Sequence, residues 1–242
     1  KGSAEGLLRR MIDDPASDDE YHFAIDFYAR KYGGQRTGAC TELLRSGRTV
    51  TVDDVRRGNP EAAIASVMRR EGWRVFFAEN TLWRSLFGLL FWDELFESGQ
   101  LHSGFDWMPQ CLKDRSFRRT FTTAIDTKLD AMRRGEGLSL LLRVIAAKWG
   151  KPNGIFAWDH VQVEALKALL EIAPLNGIAS LLEAMSRDYG KMHDGFPDLM
   201  LVRDAELLFL EIKAEGDAIR RNQLTRLRQL QQAGINAEIV RA

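Results

Sequence analysis

The chain has 242 residues, 45% apolar and 28% charged, with 34 Lys/Arg balanced by 34 Asp/Glu. That length can bury one sizeable core or two small ones, and no apolar run of about 18 residues is present to cross a membrane as a helix. Two distant cysteines, Cys40 and Cys111, and four scattered histidines, His22, His102, His160 and His193, exclude a disulfide scaffold and a sequence-local zinc site and fit a reducing compartment. No basic-then-apolar leader opens the chain, so export is not indicated. The start at Lys1-Gly2-Ser3, without methionine, reads as a trimmed end. Zero net charge argues mildly against a nucleic-acid binder, but the charge is segregated. Residues 1–30 hold four Lys/Arg against seven Asp/Glu, and residues 111–134 hold seven against three, which leaves room for one basic face.

In chain order, residues 18–31 are predicted as a helix ended by Gly33-Gly34. Thr51-Val52-Asp53-Asp54 offers an N-cap for a short helix. A firmer helix over 61–70 follows Asn59-Pro60. Residues 73–78, Trp-Arg-Val-Phe-Phe-Ala, read as a strand. An apolar helix is expected over 82–96, buried on most sides, with Trp83 and Trp92 in the core. Gly99 and Gly104 mark a loop. Residues 112–149 read as helical, with Phe117, Phe121, Ile125 and Leu129 at four-residue spacing and Arg115, Arg118 and Arg119 as neighbours on one helix. Two further helices, 158–172 and 177–189, complete a helical block. The period then changes: the apolar runs 198–202 and 207–213 make a β-hairpin around Arg203-Asp204-Ala205-Glu206. Neither run alternates, so the sheet should be covered on both faces. An amphipathic helix over 218–233 and a last strand over 235–240 follow. The expected fold is α/β (α+β), one mixed sheet between helices.

The chemistry concentrates in the hairpin. Side chains alternate along a strand, so Glu211 and Lys213 share a face and Ile212 lies opposite. The start of one antiparallel strand lies beside the end of the next, which brings Asp198 to Glu211. Paired carboxylates with the Ile212 carbonyl make a hard-oxygen site for Mg²⁺ or Mn²⁺. Lys213 would orient or deprotonate a water, or stabilise charge on a transferring phosphoryl group. Glu79, at the end of the 73–78 strand against an apolar helix, is the further carboxylate, since a charge there is costly unless used. Gln223 and Asn222 lie on the following helix, within reach of the water or phosphate. Pro-Asp followed by Glu-x-Lys also arises by chance, and Glu211 and Lys213 read equally as a pair at a fraying strand end. Arg115, Arg118 and Arg119 read either as a solvated face or as contacts to one DNA backbone. Trp149 and Trp158 read as core edges or as stacking surfaces for an unpaired base. His193 reads as a satisfied surface histidine.

The stretches Ala78-Glu79-Asn80-Thr81-Leu82-Trp83-Arg84-Ser85-Leu86-Phe87-Gly88-Leu89-Leu90-Phe91-Trp92-Asp93, Gly195-Phe196-Pro197-Asp198-Leu199, Leu210-Glu211-Ile212-Lys213 and Gly216-Asp217-Ala218-Ile219-Arg220-Arg221-Asn222-Gln223 resemble the VRR-NUC nuclease domain, in the form found in bacterial Fanconi-anaemia-associated nucleases. The resemblance covers roughly residues 60–241. It implies a restriction-endonuclease-like PD-(D/E)xK core with a large helical insertion at about 105–190, inside a nuclease domain of residues 60–242. Residues 1–59 would then be a helical segment left from a larger upstream region.

The resemblance also implies metal-binding carboxylates at Glu79, Asp198 and Glu211 and a catalytic lysine at Lys213. Arg84, Arg220 and Arg221 are further candidate DNA contacts besides the 115–119 cluster, and Arg220-Arg221 reads equally as a solvated helix face. The implied activity is a Mg²⁺- or Mn²⁺-dependent structure-specific endonuclease and 5′-3′ exonuclease cutting near 5′ flaps and branched junctions, linked to interstrand-crosslink repair. The protein would be monomeric, bacterial, cytoplasmic and nucleoid-associated, with further DNA-binding surface supplied by the upstream region or a partner. Isoleucine at 212 replaces the family's usual valine and keeps a β-branched apolar group. The alternatives are a catalytically weak module that binds branched DNA, and an interaction domain without nucleic acid.

Overall fold

The computed structural model describes residues 3–16, 18–34, 36, 38, 47–50, 58–99, 108–214 and 216–242. Cys40, the 51–54 N-cap, His102 and Gly104 lie outside them. Two helices open the fold, α1 (Ala4–Asp13) and α2 (Asp18–Lys31), followed by a two-residue strand β1 (Arg48–Thr49). Then come α3 (Pro60–Arg70), β2 (Arg74–Phe77) and α4 (Glu79–Leu90). The helical block holds α5 (Gln110–Lys113), α6 (Phe117–Thr120), α7 (Thr122–Arg133), α8 (Gly137–Lys148), α9 (Val163–Ile172), α10 (Leu175–Arg187) and α11 (Tyr189–Met192). The hairpin β3 (Leu199–Arg203) and β4 (Glu206–Lys213), then α12 (Arg221–Gln232) and β5 (Asn236–Arg241), close the chain.

The strands form one five-stranded sheet in the order β1-β5-β4-β3-β2. β2, β3 and β4 pair antiparallel, while β5 runs parallel to both β4 and β1. The parallel step from β4 to β5 needs a crossover, and α12 supplies it. Both faces are covered, as the unbroken apolar runs require. Leu199, Leu201, Leu210, Ile212 and Val240 pack with Ile64, Ala65 and Met68 of α3. Met200, Val202, Phe209 and Ile239 face the larger core shared with α4, the helical block and α12. No single helix among the described residues is long and apolar enough to cross a membrane.

Several expected elements shift. The 82–96 helix starts earlier, at Glu79, and gives way after Leu90 to a π-helical turn, Asp93–Glu97. The four-residue spacing through Phe117 and Leu129 is divided between α6 and α7 at Phe121. The helix expected from residue 218 begins at Arg221, and residue 158 opens a 3₁₀ turn rather than α9. The hairpin turn is tighter than four residues: only Asp204 and Ala205 lie outside the strands. Asp204 takes a positive φ of 53°, as a two-residue hairpin asks of its first central position. Neither α1 nor β1 is among the expected elements: β1 has only two residues, whereas α1, N-capped by Ser3 and amphipathic with Leu8 buried, is signalled by the sequence. β1 joins the edge of the sheet on β5, and His22 Nε2 of α2 sits 2.8 Å from Thr225 Oγ1 of α12, so β1 and α2 are joined to the sheet and its crossover helix.

Candidate active site

The site forms where β2, β3 and β4 end together. The β3–β4 register runs Leu199 opposite Leu210, so Asp198 falls next to Glu211 one step beyond. Asp198 is fixed from two sides. Its Oδ2 accepts the Ile212 N–H at 2.7 Å, and its carbonyl accepts the amides of Ala78 at 2.9 Å and Glu79 at 3.2 Å. Groups of one strand residue share a lateral direction, so the Ile212 carbonyl points to the same edge as its N–H, toward Asp198.

Glu211 is 1% exposed and Lys213 8%. Lys213 Nζ donates to Glu211 Oε1 at 2.8 Å and to Gln223 Oε1 at 3.0 Å. Gln223 Nε2 donates to Glu211 Oε1 at 2.6 Å. The Gln223 side chain thus clamps acid and base together, while its Oε1 also accepts the Arg220 amide at 3.0 Å and caps α12. Gly195, φ 82°, lets α12 approach this close: a Cβ there would stand 2.9 Å from the Asn222 carbonyl carbon.

Desolvation pushes the Glu211 carboxyl up to about 7, with the Asp198 charge adding to it and Lys213 opposing. Desolvation likewise raises Asp198 to about 6, opposed by the Ile212 N–H and reinforced by Glu61 and Glu79. Glu211 Oε2 is buried without a hydrogen-bond partner. A buried carboxylate, Glu211, and a half-buried one, Asp198, both resisting ionisation beside an unpartnered oxygen, form a site short of positive charge. One lysine does not satisfy it, and a hard divalent cation fits it.

Glu79 stands differently. It is exposed, so the burial cost expected for it does not arise, and its Oε1 accepts from Asn80 Nδ2 at 3.1 Å. Among the described residues no three His, Cys, Asp or Glu side chains converge on one ion position. Asp198 and Glu211 are brought together, and Glu79 is held at the rim by the hydrogen bond its backbone N–H donates to the Asp198 carbonyl. Its backbone has φ 32°, strained for a residue with a Cβ. Two residues escaped the sequence reading. Asn80 Oδ1 accepts the Phe196 amide at 3.1 Å and ties α4 to the Gly195–Asp198 lead. Glu61, on the first turn of α3, acts on Asp198 across the site; in sequence it is an ordinary helix-start acid, and only the packing of α3 under the sheet reveals it.

The arginines do not form one track. Arg115 precedes α6 in a left-handed conformation, φ 58°, rather than sharing a helix with Arg118 and Arg119, and its Nε lies 3.5 Å from Asp188 Oδ2. Arg118 Nη2 is 2.6 Å from Asp126 and 4.0 Å from Glu183. Arg84 Nε donates to the His193 carbonyl at 2.8 Å. Arg119, Arg220 and Arg221 are exposed. Trp83 and Trp92 are core, and His193 Nδ1 lies 2.9 Å from the Gly190 carbonyl.

Residues 138–242 match the VRR-NUC domain. Among curated proteins, the Fanconi-associated nuclease 1 homolog of Arabidopsis thaliana is 30% identical over 176 residues, 69% of this chain and 20% of the relative. The Pseudomonas aeruginosa homolog is 26% identical over 168 residues, 68% of this chain and 30% of the relative. The chain therefore spans about a fifth to a third of the relatives' length. A solved structure of paFAN1 bound to a 2-nucleotide 5′-flap DNA with a gap superposes with a TM-score of 0.79 at 22% identity, covering 98% of this chain and 45% of that one. That likeness shows the fold, a PD-(D/E)xK core with a mixed sheet. The VRR-NUC match holds Asp198, Glu211, Lys213 and Gln223, while Glu61 and Glu79 precede it.

Proposed function

We propose that this chain is a divalent-metal-dependent nuclease module that hydrolyses phosphodiester bonds in branched DNA, with 5′-flap duplexes as its substrate class. The observation that carries the reading is half-buried Asp198 beside buried Glu211, whose Oε2 has no partner, next to a lysine clamped by Gln223. The names of the Fanconi-associated nuclease relatives support nuclease chemistry, and the flap DNA in the paFAN1 complexes supports the substrate class.

Asp198, Glu211 and the Ile212 carbonyl would hold Mg²⁺ or Mn²⁺, with Glu79 joining from the rim by rotation of its exposed side chain. Such an ion, when bound, polarises a phosphate oxygen and acidifies a water. Lys213 keeps its ammonium within reach of the scissile phosphate, where it offsets charge developing on the oxygens. Gln223 holds that ammonium in place by accepting from it. Arg119, Arg220 and Arg221, and the free edges of Arg84, Arg115 and Arg118, would contact backbone phosphates, which fix position rather than sequence. The biological setting we infer is repair of DNA damage in a bacterial cell by a monomeric module, with upstream segments or partners adding DNA-binding surface.

Incubating the chain with a labelled 5′-flap duplex tests the reading. Cutting is expected with Mg²⁺ or Mn²⁺ and none with EDTA. Cutting that survives Asp198→Ala would overturn the site assignment, and flap binding without cutting by the unaltered chain would favour a binding module.

A further inference from the structure

Beside the carboxylate site lies a cleft of about 500 Å³ between α4 and the Gly150–His160 loop. Thr81 and Arg84 form its α4 wall, and Lys151, Trp158 and His160 its loop wall. Its lining carries cations and no carboxylate. That selection is not a general property of this neutral chain: a second cleft of about 530 Å³, at the turn end of the hairpin, is lined by Glu206 and Glu238 and holds no cation. The volume is that of a site for a small organic group.

The cleft is built rather than incidental. Asn153 Oδ1 accepts the amides of Ile155 and Phe156 at 3.1 and 2.9 Å, and Trp158 Nε1 donates to the Lys151 carbonyl at 2.7 Å. Gln162 Nε2 donates to the Phe77 carbonyl at 2.6 Å and fastens the loop's far end beside Glu79. Lys151 forms no ion pair within 4 Å among the described residues, and Arg84 spends only its Nε on His193. Next to Gly150, Trp149 is 59% exposed, with its ring centroid 5.3 Å from that of Trp158. An exposed tryptophan beside a cation can stack an unpaired base and hold its phosphate; Lys148 is engaged by Glu97, which leaves Lys151 for that role. Arg84 is five residues from Glu79 on α4, about 7 Å along the axis.

We propose that this cleft is a subsite for an unpaired nucleotide of the cleaved DNA strand, its phosphate held by Lys151 and Arg84 and its base stacked on the Trp149–Trp158 edge. The proposal rests on the nuclease reading for its substrate but not for its binding chemistry. It separates flap DNA from paired duplex, because a paired base cannot enter.

The test is fluorescence anisotropy in EDTA, with a 5′-flap duplex and a fully paired duplex of the same sequence, across a salt series. Lys151→Ala is expected to weaken flap binding roughly three- to ten-fold and to lower the salt slope by about 0.7. Trp149→Ala, at an exposed position, is expected to cost roughly five-fold or more on the flap. Both should change paired-duplex binding by less than about two-fold, Lys151→Arg should restore the flap affinity, and Arg203→Ala should change neither. Equal losses on both substrates, or flap affinity unchanged in both variants, would overturn the subsite. Cutting by the unaltered chain in Mg²⁺ or Mn²⁺ is scored separately. If it fails while the flap-selective loss persists, the nuclease reading falls and the subsite stands.

Discussion

The two ends of the β3–β4 hairpin each carry a cation paired with a glutamate and do different things. At the turn end, Arg203 Nη2 meets Glu206 Oε2 at 3.2 Å with side chains 43% and 65% exposed. At the open end, Lys213 Nζ meets Glu211 Oε1 at 2.8 Å with side chains 10% and 1% exposed. The distances differ little, and the surroundings differ greatly. Water screens the first pair, so its contribution is small. The second sits under α12, where desolvation outweighs the lysine's pull and leaves the carboxyl reluctant to ionise. Burial, rather than pairing, turns a common Lys/Glu contact into a candidate reactive site, because a buried charge deficit is a binding site for a cation.

The comparison is broken most severely by removing the open-end charges. Asp198→Ala and Lys213→Ala are each expected to reduce flap cutting by about a thousand-fold or more, with near-normal folding by circular dichroism. A variant that keeps a tenth of the activity would put the chemistry elsewhere.

Next in size is the clamp. Gln223→Ala removes the acceptor for Lys213 and the donor to Glu211 at once. A residue that orients groups around a metal site is worth about 10- to 100-fold, and that loss is expected in kcat with KM nearly unchanged. A rise in KM alone would mean Gln223 touches DNA rather than holding Lys213.

How much of this was legible in sequence follows from what burial needs. Asp198, Glu211, Lys213 and Gln223 could be named because strand alternation and antiparallel register are local rules, and four residues around one hairpin and the next helix obey them. The two-sided cover of the sheet was equally legible from its unbroken apolar runs. Glu61 was not, because its approach to Asp198 depends on how α3 lies under the sheet. Glu79 was named for a burial it does not have; its placement comes from a backbone bond to Asp198 that no side-chain pattern encodes. The single helix expected to carry Arg115, Arg118 and Arg119 is not formed, for a similar reason. Helical spacing cannot show that Arg115 leaves the helix or that Asp126 and Glu183 already engage Arg118.

A smaller effect sharpens the charge-deficit argument. The folded-state values of Asp198 and Glu211 lie above their ordinary ones, so between about pH 4 and pH 7 the folded chain keeps protons that the unfolded chain has lost. Their contribution is fully present below that window and is lost as pH rises through it, by up to about 1.4 kcal/mol per pH unit for each group. The metal-free chain should therefore lose melting temperature from pH 5 to pH 8 more steeply than Asp198→Asn, which removes one titration and relieves the other. Added Mg²⁺ should flatten the slope of the unaltered chain and not that of the variant. Parallel slopes in the two proteins without metal would show that the pair is already balanced.

The smallest expected effect lies at the turn. Arg203→Ala and Glu206→Ala should each change stability by no more than about 0.5 kcal/mol and leave cutting unaltered. Arg203 also lies over the Trp73 ring, 4.3 Å from its centroid, so its removal should cost slightly more than that of Glu206. The double variant then separates the two contributions. If the pair itself matters, the double change costs less than the sum of the singles; if only the ring contact matters, the costs add. Additivity is the expected result, since a pair this exposed has little coupling to lose. A coupling above about 1 kcal/mol would mean that exposure does not set the worth of these pairs, and the contrast between the hairpin's ends would need another cause.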